Sequence, residues 1–317
     1  MLVFGARGFI GSAVSQAVAQ NPNFELVRVS RHPGDGYSTA ELTAPDSLRA
    51  VIKPGDIVVN CAGYANAVDA TAAGMRLFEE VNVRGVHALA KACVARGACQ
   101  LVHMSSVAAM GAWSITGVDE QMLREPATPY ARSKLQSEQV LEQFRDRLSI
   151  TILRPTSIFG EGRGLAKLLC RLVSWPVVPM PAAGRASIPF CYVGNIVDGV
   201  ALSLRNPSCY GQTFILGDER SYSFREIVAT FARALGKRPY LLSIPAAPAR
   251  AAAVFAEKRA VRRNSIPLID RQRINTLTQS VSYSITKFRE ATGYHPSYDL
   301  DKAAERIALW YSRGAVS

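Results

Sequence analysis

Apolar and polar positions follow two periods along this chain. "MLVF" (1–4) is a short apolar run ending at a glycine, and "FIGSAVSQAVAQ" (9–20) then repeats apolar residues at helical spacing until "NPN" stops it. "FELVRV" (24–29), "DIVVN" (56–60) and "CQLVHMSS" (99–106) read as strands, and "MRLFEEVNVRGVHALAKACVARG" (75–97) as one helix. A helix carrying Tyr130 and Lys134 follows, then the strand "SITILRP" (149–155), "QTFILG" (212–217) and the helix "SFREIVATFARALG" (223–236). Apolar strands alternating with helices predict right-handed βαβ crossovers. The expected class is therefore α/β, a Rossmann-type doubly wound parallel sheet covered on both faces.

The rhythm changes after Arg154 and Pro155. Residues 160–190 are rich in Gly, Pro and Leu and lack clear strands, while 218–317 show helical patterns broken by "SIPAAP" and "GYHPSYDL". The expected division is a main domain of 1–159 plus 191–217, and a smaller, mostly helical region of 160–190 plus 218–317 that covers a substrate cleft.

The first strand-to-helix junction is "VFGARGFIGSAV", with Gly5, Gly8 and Gly11. A tight turn and a close backbone approach call for residues without Cβ. The helix N-terminus, at Phe9 and Ile10, then offers N–H groups and a positive dipole to an anion. At this junction of a βαβ unit the pattern predicts a dinucleotide pyrophosphate site, with a plain glycine turn as the alternative. After the second strand, where Asp or Glu would hold a free ribose 2′-hydroxyl, the chain has Ser30, Arg31 and His32. A carboxylate would repel a 2′-phosphate, whereas a guanidinium binds it with paired hydrogen bonds. Arg7, inside the glycine loop, reaches toward the same group, and the two arginines together predict NADP(H) in preference to NAD(H).

Composition narrows the partners. The 317 residues are 48% hydrophobic and 20% charged, a globular balance, and the net charge of +12 draws anions. The basic residues are dispersed without an aromatic-studded stripe, so nucleic acid is not expected, and a phosphate-bearing cofactor or substrate suits the charge. Six cysteines without a C-x-x-C pair read as free thiols of a cytoplasmic protein, and four histidines lie too far apart to predict a metal site. No signal peptide is expected ahead of a motif that begins at residue 5, and no apolar run reaches membrane-spanning length. "LLSIPAAPARAAAVFA" (241–256), broken by two prolines and Arg250, reads as a helix over the substrate pocket. Attachment to a membrane surface, helped by the following "EKRAVRR" (257–263), is the alternative.

The candidate chemistry lies at the C-terminal edge of the predicted sheet. "LVHMSSVAAMG" brings Ser105 and Ser106 there, and "YARSK" places Tyr130 and Lys134 one helical turn apart. Tyr-x-x-x-Lys alone is unspecific. The ordered series "GARGFIG", "NCAG" (60–63), "VNVRG" with Asn82, "MSSVAAMG", "YARSK", "RPTSIFGEG" and "FCYVGNIVDG" resembles the extended short-chain dehydrogenase/reductase family, over nearly the whole chain. Within that family it is similar to the NAD-dependent epimerase/dehydratase group, with some likeness to the 3β-hydroxysteroid dehydrogenase/dihydroflavonol reductase branch.

The resemblance implies that Tyr130 is a general acid/base and that Lys134 binds the nicotinamide ribose and lowers the Tyr130 pKa. It implies that Ser106, rather than Ser105, holds the reacting oxygen. Pro155, Ser157 and Ile158 are implied to line the nicotinamide, and Ala62 and Gly63 to contact the cofactor. Asn82 is implied to brace the strands beneath the site, and a homodimer through a four-helix contact is implied as well. Val107 and Ala108 stand where dehydratases of this family carry an acidic pair, which argues against water elimination, and Met110 replaces the usual Tyr before Gly111.

The expected reaction is therefore reduction of a ketone, or the reverse oxidation, with epimerisation as the alternative. Two substrate classes compete. One is a nucleotide-activated sugar, with Arg185 on its diphosphate; the other is an apolar steroid or flavonoid ketone. A non-catalytic nucleotide sensor is the remaining reading, weakened by the presence of Ser106, Tyr130 and Lys134.

Overall fold

A computed structural model describes residues 1–66, 69, 71–111, 115–122, 125–162, 164–262 and 271–314. β1 (Leu2–Phe4) leads through the glycine turn into α1 (Phe9–Ala19), and β2 (Val27–Ser30) and β3 (Ser38–Thr39) follow. α2 (Pro45–Val51) returns the chain to β4 (Ile57–Asn60). α3 (Ala72–Leu77) passes through a π-helical stretch, Phe78–Arg84, into α4 (Gly85–Arg96). β5 (Gln100–Met104), α5 (Pro129–Glu142) and β6 (Ser149–Pro155) complete the first half. β7 (Ser157–Phe159), α6 (Gly164–Val173), β8 (Val177–Pro181), β9 (Ser187–Ile188), β10 (Phe190–Tyr192) and α7 (Val193–Ser203) lead to β11 (Gln212–Leu216). β12 (Tyr222–Ser223), α8 (Phe224–Ala234), β13 (Tyr240–Ile244) and helices α9 (Ala246–Arg262), α10 (Arg271–Thr278), α11 (Thr286–Thr292) and α12 (Leu300–Ser312) follow.

Seven parallel strands form the main sheet in the order β11-β6-β5-β4-β1-β2-β3. The period-two alternation assigns each side chain to a face. Val3, Val59, Val102 and Met104 join one core, with Ile196, Phe214 and Phe288; Leu2, Phe4, Val58 and Leu101 join the other, with Leu89 and Leu141. The strand order reverses beside β1, which lies between β2 and β4, and open α/β sheets bind ligands at such a switch point. A third core, around Phe159, Val178, Met180, Phe231 and Ile307, belongs to the second lobe.

Three expectations need correction. Residues 160–190 hold α6, β8 and β9, because short strands there pair with partners far along the chain: β8 with β13, β9 with β12. The segment 241–256 is part strand and part helix, β13 giving way to α9 at Pro245. The single helix over 75–97 is interrupted by the π-helical stretch, which turns Phe78 and Asn82 inward together. The run 257–263 ends outside the described residues. Packing also follows its own line between the lobes: α11 lies on β11, and Ile285, Phe288 and Tyr294 join the core of the main sheet.

Candidate active site

Gly5 has φ +73°, and a Cβ there would sit 2.7 Å from the Ala62 nitrogen. A Cβ on Gly11 would strike the Gly5 carbonyl, and the Gly8 N–H donates to that same carbonyl at 2.7 Å. The three glycines thus let β1, α1 and the end of β4 meet without side chains between them. Gly8 caps α1 in extended conformation with no side-chain cap, and Ser12 N–H is the first to bond back to it, at 2.9 Å. The amides of Phe9, Ile10 and Gly11 precede that first bond and are open to an anion. The cradle fits a dinucleotide pyrophosphate.

At the outer end of the cradle, the Arg7 guanidinium donates to the Pro33 carbonyl at 3.2 Å and lies over the Tyr37 ring, 4.4 Å from its centroid. Ser30 is buried, and its hydroxyl accepts from the His32 N–H at 3.2 Å. Arg31 is exposed and makes no ion pair among the described residues. Both arginines therefore flank one loop, 31–37, beyond the second strand.

At the inner end, Thr128 caps α5 by accepting from the Ala131 N–H, and Pro129 occupies the first turn, where its missing donor is harmless. This start fixes Tyr130 and Lys134 on one face of α5, toward the end of β5. Ser106 is extended at the start of a short 3₁₀ turn, where its hydroxyl accepts from the Ala108 N–H at 3.1 Å and faces the Tyr130 phenol. Burial raises the Tyr130 pKa, and the Ser106 contact opposes that shift. Lys134 is buried and donates from Nζ to the Met104 carbonyl at 2.9 Å, close beside Gly63. Burial lowers its pKa to about 8, the Glu138 carboxylate opposing. The expected effect of Lys134 on the phenol is thus absent from this arrangement: its ammonium is held by the backbone of β5.

A buried polar layer lies beneath, and sequence reasoning missed it. The Arg154 guanidinium grips Glu138 with two parallel bonds, 2.9 and 2.7 Å, and the Ser105 hydroxyl donates to the same carboxylate at 2.5 Å. Ser105 is thereby committed away from the cleft, which leaves Ser106 facing it. An arginine within an otherwise apolar strand was the signal that a partner carboxylate had to exist. His103, buried between Asn60 and Ser137, is held well below the ordinary imidazole range by burial, so it is neutral. Asn82 was expected to brace the strands beneath the site; instead it pins the 61–66 loop to α5. Its Oδ1 accepts from the Tyr64 N–H at 2.7 Å, while its Nδ2 donates to the Tyr64 carbonyl and the Ser133 hydroxyl, both at 2.9 Å.

Pro155, Ser157 and Ile158 continue from β6 into β7, where the Ser157 N–H donates to the Pro189 carbonyl at 3.0 Å. Ala62 and Gly63 close the inner wall, the Ala62 N–H donating to Asn60 Oδ1 at 3.0 Å. Arg185 is exposed in the second lobe, after a turn in which Ala182, Ala183 and Gly184 all have positive φ. Among the described residues no cluster of His, Cys, Asp or Glu is arranged to hold a metal ion.

With this geometry in hand, the chain can be set beside known proteins. UDP-glucose 4-epimerase of Vibrio cholerae is 24% identical over 321 residues, covering 97% of this chain and 94% of that protein. N-acetyl-alpha-D-glucosaminyl-diphospho-ditrans,octacis-undecaprenol 4-epimerase of Escherichia coli O157:H7 is 26% identical over 257 residues, covering 77% and 75%. The structure of RMD from Pseudomonas aeruginosa complexed with NADPH shares the fold, with a TM-score of 0.74 at 19% identity over 98% of this chain and 99% of the other. The profile of the NAD dependent epimerase/dehydratase family matches residues 1–217, and the chain belongs to that family.

Proposed function

We propose that the protein is an NADP(H)-dependent oxidoreductase that reduces the ketone of a nucleotide-activated keto-sugar, or oxidises the corresponding alcohol. The observation that carries this reading is the convergence of Ser106, Tyr130 and Lys134 at the sheet edge that the glycine cradle also faces. A dinucleotide held in the cradle of Gly5, Gly8 and Gly11 would supply or accept the hydride. Tyr130 gives its hydroxyl proton to the oxygen as the carbonyl becomes an alcohol, and takes it back in the reverse direction. Ser106 donates a hydrogen bond to the same oxygen and fixes its distance from the phenol. Lys134 would hold the ribose hydroxyls of that dinucleotide, and its charge would lower the phenol's pKa.

In this reading 1–159 plus 191–217 holds the dinucleotide, and 160–190 plus 218–317 covers the sugar, with Arg185 toward its diphosphate. The names of the Vibrio and Escherichia relatives support a sugar carried on a diphosphate. Arg7 and Arg31 together favour NADP(H), since no carboxylate lies within "VSRHPG" to repel a 2′-phosphate. Arg31→Ala is expected to reduce kcat/KM with NADPH by about tenfold or more, the worth of a charge-assisted hydrogen bond, and to leave NADH nearly unaffected. An unchanged preference would remove Arg31 from the site.

The Vibrio relative favours a second reading, epimerisation, in which a retained NAD is reduced and reoxidised within one turnover. The two separate cleanly. A reductase consumes NADPH in proportion to product, while an epimerase purifies with bound nucleotide and consumes none.

A further inference from the structure

The ribbon formed by β8 and β13 has one face in the second core and one that no described residue covers. Val178 and Met180 point inward and are fully buried. Tyr240 and Leu242 stand opposite Val177 and Pro179 in the parallel register; Tyr240 is 67% exposed, Leu242 43% and Val177 42%. Trp175, in the turn that enters β8, is 56% exposed, and the Tyr240 N–H donates to the carbonyl of the next residue, Pro176, at 2.9 Å. Trp175, Val177, Tyr240 and Leu242 are therefore one continuous patch. At the other end of the ribbon Ile244 packs with Ala249, Ala253 and Ile274, so α9 and α10 close the face there and leave the aromatic end open.

The segments that build this lobe's ribbon and its neighbouring helices are rich in basic residues, although Arg233 of α8 is paired with Asp301 of α12. Residues 162–190 and 227–256, which build α6, β8, most of α8, β13 and the start of α9, contain eight Lys and Arg and no Asp or Glu. Arg171, at the end of α6 next to Trp175, and Lys237 and Arg238, just before Tyr240, are exposed and form no ion pair among the described residues. A second copy docking here by twofold symmetry would bring basic rim against basic rim. An anionic bilayer satisfies both parts of the surface. Trp and Tyr rings settle at the headgroup level, and lysine and arginine meet lipid phosphates. No helix among the described residues is long and apolar enough to cross a membrane, so the contact is one of surface attachment.

We infer that this face seats the protein on the surface of an anionic lipid bilayer. The test is co-sedimentation of the full chain with vesicles of equimolar phosphatidylglycerol and phosphatidylcholine, against vesicles of phosphatidylcholine alone. The protein pellets with the former and stays in solution with the latter, and high salt weakens the binding. Trp175→Ser with Tyr240→Ser weakens it by about tenfold or more. Lys237→Gln and Arg238→Gln weaken it by about fivefold each. All four side chains are exposed, so thermal midpoints without vesicles stay at the wild-type value, which separates lost docking from lost folding. Absence of binding to either vesicle, or equal binding by wild type and variants, overturns the inference. So does sedimentation velocity showing a wild-type dimer that the Trp175→Ser/Tyr240→Ser protein cannot form, since a second copy would then cover the face.

Discussion

Lys134 is buried and yet is asked to act as a cation. Its pKa is drawn down from 10.5 to about 8, so the folded chain holds this proton less tightly than the unfolded one. Ionised Lys134 therefore opposes folding below about pH 8, and the penalty fades as the pH rises from 8 toward 10.5. Burial is the main cause; Glu138 offsets it, and the other groups facing Lys134 are Cys61 and His103. Glu138→Gln is expected to move the Lys134 titration to still lower pH, readable by ¹³C NMR of labelled lysine with Lys134→Arg as the assignment control. It also leaves the Arg154 guanidinium buried without its counter-charge, and urea unfolding should register a loss of up to about 3–5 kcal/mol. A titration that stays at about 8 would mean that Glu138 serves Arg154 alone. At this scale Ser106, Tyr130 and Lys134 could be singled out from the sequence, because the ordered series of motifs around them resembles a known family. Glu138 could not, because its meaning depends on a strand residue that only the fold brings near.

Among the elements, β11 shows how an edge strand is guarded. Its inner side pairs with β6, while on its outer side the Ile215 N–H donates to Glu120 at 2.7 Å and Lys287 donates to the Thr213 carbonyl at 3.0 Å. These side chains occupy groups that would otherwise template another strand. Glu120→Ala with Lys287→Ala should lower stability by about 1–3 kcal/mol in denaturant unfolding and raise aggregation on heating, seen by light scattering. Equal stability and scattering would show the edge to be protected by α11 alone.

A second element-scale device joins α7 to the chain after β11. Asn195 donates to Asp218 at 2.8 Å and to the Tyr298 carbonyl at 2.7 Å, and burial raises the Asp218 pKa from 3.8 to about 6. The folded state thus binds this proton more tightly than the unfolded state, so Asp218 contributes less stability as the pH rises from about 4 through 6. Asp218→Asn should stabilise the protein by roughly 1–3 kcal/mol at neutral pH and make no difference near pH 3. Matched thermal melts across that range check it, and a loss at neutral pH would contradict the assignment. Buried apolar strands such as β4, β5 and β6 were readable from sequence. β9 and β12 were not, being two residues each, nor were β8 and β13, which are partly exposed and pair with each other only at long range.

At the scale of the molecule, the described residues fold around three large cores and a small fourth one, and the candidate site lies where the main sheet's order reverses. The alternation of strand and helix was enough to predict the sheet. It did not reveal that 285–294 returns to the sheet, since the helical pattern of α11 resembles those of its neighbours α10 and α12 and only tertiary packing distinguishes them. Cradle, acid/base group and covering lobe are held by different segments, and their joint action is what the proposed reaction requires. The most direct measurement is a single turnover, with NADPH bound in advance and a nucleotide-linked 4-keto-sugar added, followed at the dihydronicotinamide absorbance in wild type and Tyr130→Phe. The account predicts a loss of about 10²–10⁴-fold in rate, with NADPH affinity unchanged. Wild-type hydride transfer in the Tyr130→Phe protein would contradict it.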